Sequence, residues 1–329
     1  MPDIKILTEK ELRTQVGLDL ASVDCIEQAF LALATQKVVM PPILQLVLPE
    51  KNGEVCIKTA YIPDLDCFAV KLSPGFFDNP KIGLPSGSGL MMLFSSNTGM
   101  LEAVLLDNGY LTDIRTAAAG AVAAKYCARE NSTHAAIIGA GEQARLQLEA
   151  LMLVRKIQSA TLWARDIEKA EMTASQLSDK LNISVEAKST ISEATKEADI
   201  IVCTTPSTSP LLEIAHLHPG QHITAMGSDS VGKVELSPEI ILNSRYICDR
   251  LSQVRILGEL RYAIEKGVIS AETDFSEIGY VIAGIASGRE SDNEITVCDL
   301  TGTGIQDTAI ATLAYNLCLK QQAGITIEA

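Results

Sequence analysis

Three basic residues in the amino-terminal part of the chain stand out because of their surroundings. Lys58 and Lys71 interrupt apolar runs typical of β-strands, and Arg115 directly precedes an alanine-rich segment. A small acidic substrate requires such groups, since arginine binds a carboxylate through two parallel hydrogen bonds and lysine acts as a point charge. Lysines on strands more often face solvent, so neither lysine is decisive alone. Together the three cations predict a carboxylate-binding site.

A second set of polar residues comes after apolar runs later in the chain, namely Thr204, Thr205 and Asp229. Ligands of open α/β sheets bind at the carboxyl ends of the strands. An aspartate at such a strand end can act as a general base or hold an amino group. Two plainer interpretations stay open. Asp229 caps a helix that begins near Lys233, and the Thr-Pro sequence at residue 205 only ends its strand.

A glycine motif lies between an apolar run and a helical pattern. Residues 135–138 lead into Gly139 and Gly141, and Ala144 completes the spacing G-x-G-x-x-A. The first glycine permits a tight turn, the second lets the backbone approach a pyrophosphate, and the small third residue allows close helix–strand packing. The N–H groups at the start of such a helix bind phosphate. Alone, the motif is a weak indication of a nucleotide site.

The context of the motif is an alternation of apolar runs with helical patterns. Strands are expected at 135–138, 160–164, 183–185, 200–203, 222–226, 246–249 and 295–298, and helices at 144–154 and 167–181. Strands separated by helices indicate a parallel, doubly wound sheet. The second part of the chain is therefore predicted to be a Rossmann-type dinucleotide-binding domain.

The first part of the chain predicts a mostly antiparallel sheet with a helix packed against it. The helix, at 20–35, is expected to open the protein, and the strands are expected at 43–48, 55–61, 67–72, 90–95 and 101–106. The glycine-, proline- and serine-rich segment 73–89 is expected to be a loop. An alanine-rich helix at 116–124 joins the domains, and a final helix at 308–319 returns to the first.

The predicted fold class is therefore α/β, with two domains. Residues 1–118 with 306–329 form an α+β substrate-binding and dimerisation domain, and residues 119–305 form the Rossmann-type doubly wound parallel sheet domain.

The choice of nucleotide depends on the end of the second strand of the dinucleotide fold. An acid there favours NAD, because it binds the ribose hydroxyls, whereas a small residue beside an arginine accommodates the 2′-phosphate of NADP. Here Ala164 is followed by Arg165, which suits NADP(H). Asp166 can still reach a ribose hydroxyl, or form a surface ion pair with Arg165. Both NAD(H) and NADP(H) remain candidates.

The composition limits the possible partners. The 329 residues include 27 Lys and Arg against 41 Asp and Glu, a formal net charge of −14, which disfavours nucleic acid and anionic membranes. No apolar run reaches the roughly 18 residues of a membrane span, and no signal sequence opens the chain. Eight scattered cysteines indicate reduced thiols in the cytoplasm. His216, His218 and His222 lie close in sequence, but the first two have the setting of a solvent loop, so no metal is expected.

Several motifs occur in order along nearly the whole chain. They are Lys71, Asn97-Thr98-Gly99, LTDIRTAA at 111–118, IIGAGEQA at 137–144, Gly227-Ser228-Asp229 with GKVEL at 232–236, and GTGIQD at 302–307. Together they resemble the signature of the ornithine cyclodeaminase/mu-crystallin family. Residues 53–87 are most similar to the branch that contains the cyclodeaminase-like proteins of ectoine utilisation and the iminosuccinate reductases.

The resemblance implies a homodimer assembled through the first domain, and hydride exchange between a nicotinamide and the α-carbon of an amino or imino acid. It implies catalytic roles for Asp229 and Lys71, and substrate binding by Lys71, Arg115 and Thr301. The positions that match cofactor contacts are Ser88, Arg115, Thr116, Gly139, Ala140, Gly141, Glu142, Gln143, Ala164, Arg165, Thr204, Thr205, Met226, Gly227, Lys233 and Leu300.

One position departs from the family pattern. Many members have an arginine after the proline near position 42, which helps to hold the substrate carboxylate, whereas this chain has Ile43 and Leu44. Lys58 can compensate as a further substrate-binding cation. Three converging positive charges suit a second carboxylate better than the ammonium tail of ornithine, which they repel.

The favoured function is NAD(P)H-dependent reduction of a small α-imino acid to the L-amino acid, with iminosuccinate to L-aspartate preferred. One alternative is deaminating cyclisation of ornithine, which uses NAD+ catalytically. The other is a mu-crystallin-like protein that binds nucleotide and ligand without catalysis. The presence of Lys71, Arg115 and Asp229 favours an enzyme.

Overall fold

The computed structural model describes residues 3–328, which divide into two compact units. The first unit comprises Met1–Arg115 with Thr303–Ala329, and the second comprises Thr116–Gly302. Each unit contains its own β-sheet.

A seven-stranded sheet forms the centre of the first unit. Its strands are β1 (Asp3–Thr8), β2 (Leu44–Leu48), β3 (Gly53–Ala60), β4 (Cys67–Phe76), β5 (Leu90–Ser95), β6 (Leu101–Leu106) and, near the end of the chain, β17 (Ile325–Glu328). They lie in the order β17-β1-β6-β5-β4-β3-β2. Neighbouring strands are antiparallel except β1 and β6, which run parallel. The expectation of a mostly antiparallel sheet is confirmed.

The pairing of β3 with β4 determines where the two lysines lie. In its register Lys58 is directly opposite Lys71, so both side chains leave the same face of the sheet. The turn before β3, where Asn52 adopts a left-handed conformation (φ 44°), joins β3 to its other neighbour, β2. Like charges in directly opposed positions destabilise a sheet unless a counter-charge is nearby. The fold must therefore supply an anion at this place.

Strand β4 is longer than the sequence predicts. Its residues up to Phe76 pair with β3, so the predicted loop at 73–89 is wrong at its beginning. Pro74 is tolerated in this extension because the pairing of β4 with β5 ends at Leu72, and a proline cannot donate to a second neighbouring strand.

Three helices and part of a fourth accompany this sheet in the first unit. They are α1 (Glu9–Gln15), α2 (Leu20–Thr35), the amino-terminal part of α3 (Tyr110–Cys127) and α11 (Gly304–Lys320). The prediction that α2 opens the protein is wrong, because β1 and α1 precede it. Strand β1 is held between β6 and β17, which are distant in sequence, and local patterns cannot show such pairing.

Helices α2 and α11 enclose the core of the first unit. Helix α2 begins after Asp19, whose carboxylate accepts a hydrogen bond from the Ser22 N–H, and it buries Val23, Ile26 and Phe30. Helix α11 packs on α2, β3 and β4. The predicted return of the final helix to the first domain is confirmed.

An eight-stranded parallel sheet forms the centre of the second unit. Its strands are β7 (His134–Ile138), β8 (Ser159–Trp163), β9 (Ser184–Ala187), β10 (Ile200–Cys203), β12 (His222–Ala225), β14 (Arg245–Cys248), β15 (Ser276–Glu277) and β16 (Thr296–Asp299). They lie in the order β15-β14-β16-β12-β10-β7-β8-β9. The order reverses between β7 and β10, which is the switch point of a doubly wound sheet. The Rossmann-type prediction is confirmed.

Apolar clusters cover both faces of this sheet. Successive residues of β7 belong to different clusters, Ala136 and Ile138 to one and Ala135 and Ile137 to the other. The helices of the unit are α4 (Glu142–Val154), α5 (Ile167–Leu181), α6 (Ile191–Thr195), α7 (Pro238–Leu242), α8 (Leu251–Val254), α9 (Glu259–Glu265) and α10 (Ile278–Ile282).

A small second sheet pairs β11 (Thr208–Leu212) with β13 (Val234–Leu236). The sequence did not predict it. The alternative in which Asp229 caps a helix near Lys233 is wrong, because the chain enters β13 there instead.

Two expectations about the remaining residues can be compared with the structure. Six of the eight cysteines are buried. His222 lies in β12, as the predicted strand at 222–226 implies. Its ring nitrogens are within hydrogen-bond distance of the hydroxyls of Thr296 and Thr224, and burial lowers its pKa to about 3. Within residues 3–328, no helix has the length and apolar character to cross a membrane.

Candidate functional site

A buried charge cluster, formed by Lys58, Lys71, Arg115 and Asp307, lies in the first unit. Lys71 Nζ donates a hydrogen bond to Asp307 Oδ1 at 2.8 Å, and Arg115 Nε donates to the same oxygen at 3.1 Å. The exposed fraction is 2% for Lys71, 6% for Arg115 and 0% for Asp307. Lys58, 8% exposed, stands opposite Lys71. The structure thus brings together the three cations that the sequence singled out.

The cluster changes the acidity of its members. Burial and the neighbouring charge of Arg115 lower the pKa of Lys71 to about 7, although the Asp307 carboxylate opposes this. Burial alone would raise the pKa of Asp307, but the charges of Lys71, Arg115 and Lys58 hold it below its ordinary value. A lysine with a pKa near 7 can donate a proton at neutral pH.

Asp307 corrects the expected charge of this site. The sequence argument assumed three positive charges, whereas three cations and one carboxylate carry a formal charge of about +2 when Lys71 is protonated. Asp307 was not among the predicted site residues. Its sequence context is informative, because Asp307 is the one acid of helix α11, and the structure buries it completely.

The glycine turn follows β7 at the switch point of the parallel sheet. Gly139 has φ 132°, a conformation that other residues rarely adopt, and a Cβ there would overlap the hydroxyl oxygen of Thr204. Gly141 precedes α4 and a Cβ on it would meet open space. Glu142 and Gln143 form the first turn of the helix, the end at which backbone N–H groups point along the axis away from it. This geometry suits a pyrophosphate, which requires open space and N–H donors.

The second strand of the parallel sheet ends beside this turn. The Gly139 N–H donates to the Trp163 carbonyl at 2.8 Å, and Ala164 and Arg165 follow. Asp166 caps α5 by accepting from the Lys169 N–H at 3.1 Å. The cap uses one carboxylate oxygen of Asp166. This structural role accounts for an aspartate at this position even if it binds no ribose hydroxyl. Arg165 is exposed.

A buried glutamine connects three of the predicted cofactor residues. Gln147 is 0% exposed, and its Nε2 lies within hydrogen-bond distance of the Thr116 carbonyl, Gln143 Oε1 and Met226 Sδ. Its Oε1 occupies the space that a Cβ on Gly120 would need. Gln147 was not among the predicted site residues, because glutamine on an amphipathic helix ordinarily indicates a solvated face.

Asp229 and Lys233, predicted as a catalytic residue and a cofactor contact, form an ion pair. Lys233 Nζ lies 2.6 Å from Asp229 Oδ1, and the Asp229 side chain is 49% exposed. The pair lies beyond the carboxyl end of β12. A half-exposed carboxylate held by a lysine is available to accept a hydrogen bond from an ammonium or iminium group.

The remaining predicted residues differ in their surroundings. The Thr301 hydroxyl donates a hydrogen bond to Asp249 at 3.1 Å and accepts one from Gln253 at 2.7 Å. Its hydrogen bonds are therefore made within the protein. Leu300, directly after β16, is buried and its N–H donates to the Ala225 carbonyl. Ser88 belongs to the first unit and is exposed. Ala140 is buried within the glycine turn, and Thr205 and Gly227 both bond to Glu235.

The chain can now be compared with known proteins. Residues 3–322 match the ornithine cyclodeaminase/mu-crystallin family. An uncharacterized cyclodeaminase of Sinorhizobium fredii is 54% identical over 330 residues, with 100% of both chains covered. A solved archaeal alanine dehydrogenase dimer with bound NAD has a TM-score of 0.93 and 37% identity, covering 99% of each chain.

A second solved structure is similar over the same length. The iminosuccinate reductase of Paracoccus denitrificans in complex with NAD+ has a TM-score of 0.91 and 30% identity, and the match covers 99% of this chain and 100% of that one. The match to the family covers both compact units and every motif described above. This chain therefore belongs to the ornithine cyclodeaminase/mu-crystallin family.

Proposed function

We propose that this protein is an NAD(P)H-dependent reductase that converts a small α-imino acid into the L-amino acid. The observation that carries the proposal is the buried charge cluster, in which Lys71 and Arg115 are oriented by Asp307. Such a cluster suits a carboxylate, and its lysine can supply a proton at neutral pH. The nicotinamide dinucleotides bound in both similar solved structures support the cofactor.

The cofactor suits the carboxyl edge of the parallel sheet. The N–H groups of Gly141, Glu142 and Gln143 would hold the pyrophosphate at the start of α4, and Ala164 with Arg165 would face the adenosine ribose. When bound, the nicotinamide supplies hydride to the α-carbon of the substrate. The balanced reaction consumes one imino acid, one NAD(P)H and one proton, and yields the amino acid and NAD(P)+.

The chain's own groups would bind the substrate and manage its proton. Arg115 and Lys71 bind the α-carboxylate, and the bond from Arg115 Nε to Asp307 leaves the terminal guanidinium nitrogens to face the substrate. The imine nitrogen must carry a proton for its carbon to accept hydride. Lys71 is the proposed donor, and Asp229 stabilises the iminium charge and then holds the product ammonium.

The second carboxylate of a dicarboxylic imino acid would use Lys58. The buried charge cluster has a formal charge of about +2, which two carboxylates neutralise and one leaves half uncompensated. Lys58 lies opposite Lys71 and is almost as deeply buried. Iminosuccinate, which gives L-aspartate, is therefore the favoured substrate. The cationic side chain of ornithine would be repelled, which disfavours cyclodeamination.

A second candidate is supported by one specific observation. The archaeal alanine dehydrogenase is more similar to this chain, at 37% identity, than the iminosuccinate reductase, at 30%. Asp307 already compensates one of the three cations, so a monocarboxylate such as the imine of pyruvate is the second candidate substrate. This reaction would form L-alanine from pyruvate and ammonia.

A substrate screen distinguishes these candidates. Oxidation of NADH and NADPH is followed with oxaloacetate plus ammonium, pyruvate plus ammonium and cyclic imines, with ornithine and lysine as controls. The Lys58→Met variant should raise KM for the dicarboxylate at least about tenfold while changing KM for the monocarboxylate little, because only the second carboxylate loses its partner. Equal effects on both substrates would refute the role of Lys58. Ornithine turnover with ammonia release, and no NAD(P)H oxidation with imino acids, would overturn the proposal itself.

We further infer a homodimer assembled through the first unit. The edge strand β2 exposes three apolar side chains, Leu44, Leu46 and Val47, at 59%, 53% and 57%. An exposed apolar edge strand is a liability that a partner subunit would cover. Light scattering should give twice the chain mass, and Leu46→Lys should give monomers. Met172→Lys, at a similarly exposed apolar residue of α5, is the control that should stay dimeric. A monomeric wild-type protein would refute the inference.

A further inference from the structure

A buried glutamate joins two turns at the carboxyl edge of the parallel sheet. Glu235 lies in β13 and is 0% exposed. Its Oε1 accepts hydrogen bonds from the N–H and the hydroxyl of Thr205, at 2.6 and 2.7 Å, and its Oε2 accepts from the Gly227 N–H at 2.7 Å. Thr205 follows β10 and Gly227 follows β12, which are neighbouring strands. One carboxylate therefore connects the ends of both.

The fit is tight at Gly227. A Cβ on this residue would overlap both the Thr205 carbonyl oxygen and Glu235 Oε2. A side chain would therefore push the two turns apart or displace the carboxylate. Asp229 lies two residues further along the same turn. The backbone position of Gly227 therefore also constrains the position of the Asp229 backbone.

Glu235 is held in place from the other side by further buried acids. The N–H groups of Glu235 and Leu236 donate to the two carboxylate oxygens of Glu259, at 2.9 and 3.1 Å. The N–H of Glu259 in turn donates to Asp299 Oδ2 at 2.8 Å, at the end of β16. All three acids are at most 1% exposed. These hydrogen bonds fix the backbone of Glu235, and thereby the position of the carboxylate that accepts from Thr205 and Gly227.

We propose that Glu235 is a positioning residue of the nucleotide site, whose carboxylate holds the Thr205 and Gly227 turns in the arrangement that binds the nicotinamide nucleotide. This inference rests on the proposed function, which makes the nucleotide the ligand of this edge. The two N–H groups bond to different oxygens of Glu235, and an ionised carboxylate accepts at both oxygens without presenting a donor to either. A glutamine, or a protonated glutamate, presents a donor to one of these turns and leaves its N–H unsatisfied.

The protonation of Glu235 should therefore affect nucleotide binding. Burial raises the pKa of Glu235 to about 7, although the hydrogen bonds from Thr205 and Gly227 act to lower it. The ionisable groups around it are Cys203 on β10, Asp229 after β12 and Glu259 on α9. Above this pKa the ionised carboxylate accepts all three bonds. As the pH falls through about 7, Glu235 gains a proton and nucleotide affinity should fall with it.

The test is a fluorescence titration of the full chain with NADH and NADPH across pH 7, for the wild type, Glu235→Gln and a matched control. The control is Glu277→Gln, another buried carboxylate of the second unit, whose oxygens accept from the Leu251 N–H and from Arg250. Glu235→Gln should weaken nucleotide binding at least about tenfold at high pH and remove the pH dependence, because it mimics the protonated acid. Glu277→Gln should keep both properties of the wild type.

The other outcomes are distinguishable. Wild-type affinity in Glu235→Gln, or equal losses in both variants, would leave Glu235 with no particular role at the nucleotide site. If Glu235→Gln fails to fold, the wild-type titration decides: an affinity that is constant through pH 7 contradicts the proposal, and one that falls below pH 7 supports it. Absence of nucleotide binding by the wild type would instead overturn the proposed function.

Discussion

Replacing Asp307 by asparagine should move the pH profile of the reaction. Lys71 must carry a proton to act as the donor, so kcat/KM should fall as the pH rises through its pKa of about 7. Asp307 Oδ1, 2.8 Å from Lys71 Nζ, favours the charged lysine. Removing this carboxylate leaves Arg115 and Lys58 nearby, and both disfavour the charged form. The basic limb of the profile should therefore move to lower pH.

The size of the effect follows from the geometry. At 2.8 Å, two unit charges interact by about 6 kcal/mol with an effective dielectric constant of about 20. This corresponds to a change of about 4 in pKa as an upper bound, since 1.36 kcal/mol equals one pKa unit. Relaxation and the remaining amide dipole reduce it, so we expect the limb to move by at least about 1.

Two variants serve as controls for this measurement. Asp307→Glu keeps the charge and should keep the basic limb near pH 7, whatever it does to KM. Thr308→Val alters the next residue of α11, also buried, whose hydroxyl donates to the Ala60 carbonyl and accepts from the Ala69 N–H. It should cost stability without moving the limb. A folded Asp307→Asn enzyme with the wild-type pH profile would refute the role of Lys71 as the titrating donor.

Further substitutions test the other assigned roles. Asp229→Asn should lower kcat by roughly 10²–10³-fold, because the iminium charge loses the carboxylate that stabilises it; a near-wild-type rate in steady-state assays would refute that role. Arg115→Lys keeps the charge but loses the planar fork, so KM for the imino acid should rise at least about tenfold. Gly139→Ala places a Cβ against Thr204 at φ 132°, and NADH titration should show binding at least about tenfold weaker. Arg165→Ala should reduce kcat/KM with NADPH more than with NADH; equal loss with both would remove Arg165 from the nucleotide site.

Much of the second unit could be predicted because its signals are local. The predicted bounds 200–203 and 167–181 are those of β10 and α5. The helix carries its own start signal, since Asp166 caps it, and β10 is a continuous apolar run of a parallel strand buried on both faces. The glycine turn was predicted for the same reason, because spacing and conformational freedom are properties of a few adjacent residues.

The missed features depend on partners far away in sequence. Strands β1 and β17 pair across almost the full length of the chain, and β17 has no buried side chain that a hydrophobic pattern could reveal. The bond between Lys71 and Asp307 spans 236 positions. Composition shows that three cations require an anion, but only the packing of α11 on β4 shows which acid supplies it.

The burial of certain acidic residues was also not predictable from the sequence. Glu235 lies in the motif GKVEL and Glu259 at the start of a short helix, and both look like solvated residues, because acids are almost never fully buried unless paired. Here the partners are backbone N–H groups of neighbouring turns, which a sequence does not distinguish from any others. The surroundings of the predicted contacts Thr205 and Gly227 therefore became clear only in three dimensions.

The most direct test of the central claim is a single assay of the purified protein. Loss of reduced-nicotinamide absorbance is measured with oxaloacetate plus ammonium, and the amino acid product is resolved by chiral chromatography. The account predicts NAD(P)H oxidation that depends on both ammonium and the oxo acid and that yields L-aspartate. Failure of every imino acid to cause NAD(P)H oxidation, together with release of ammonia from ornithine, would contradict it.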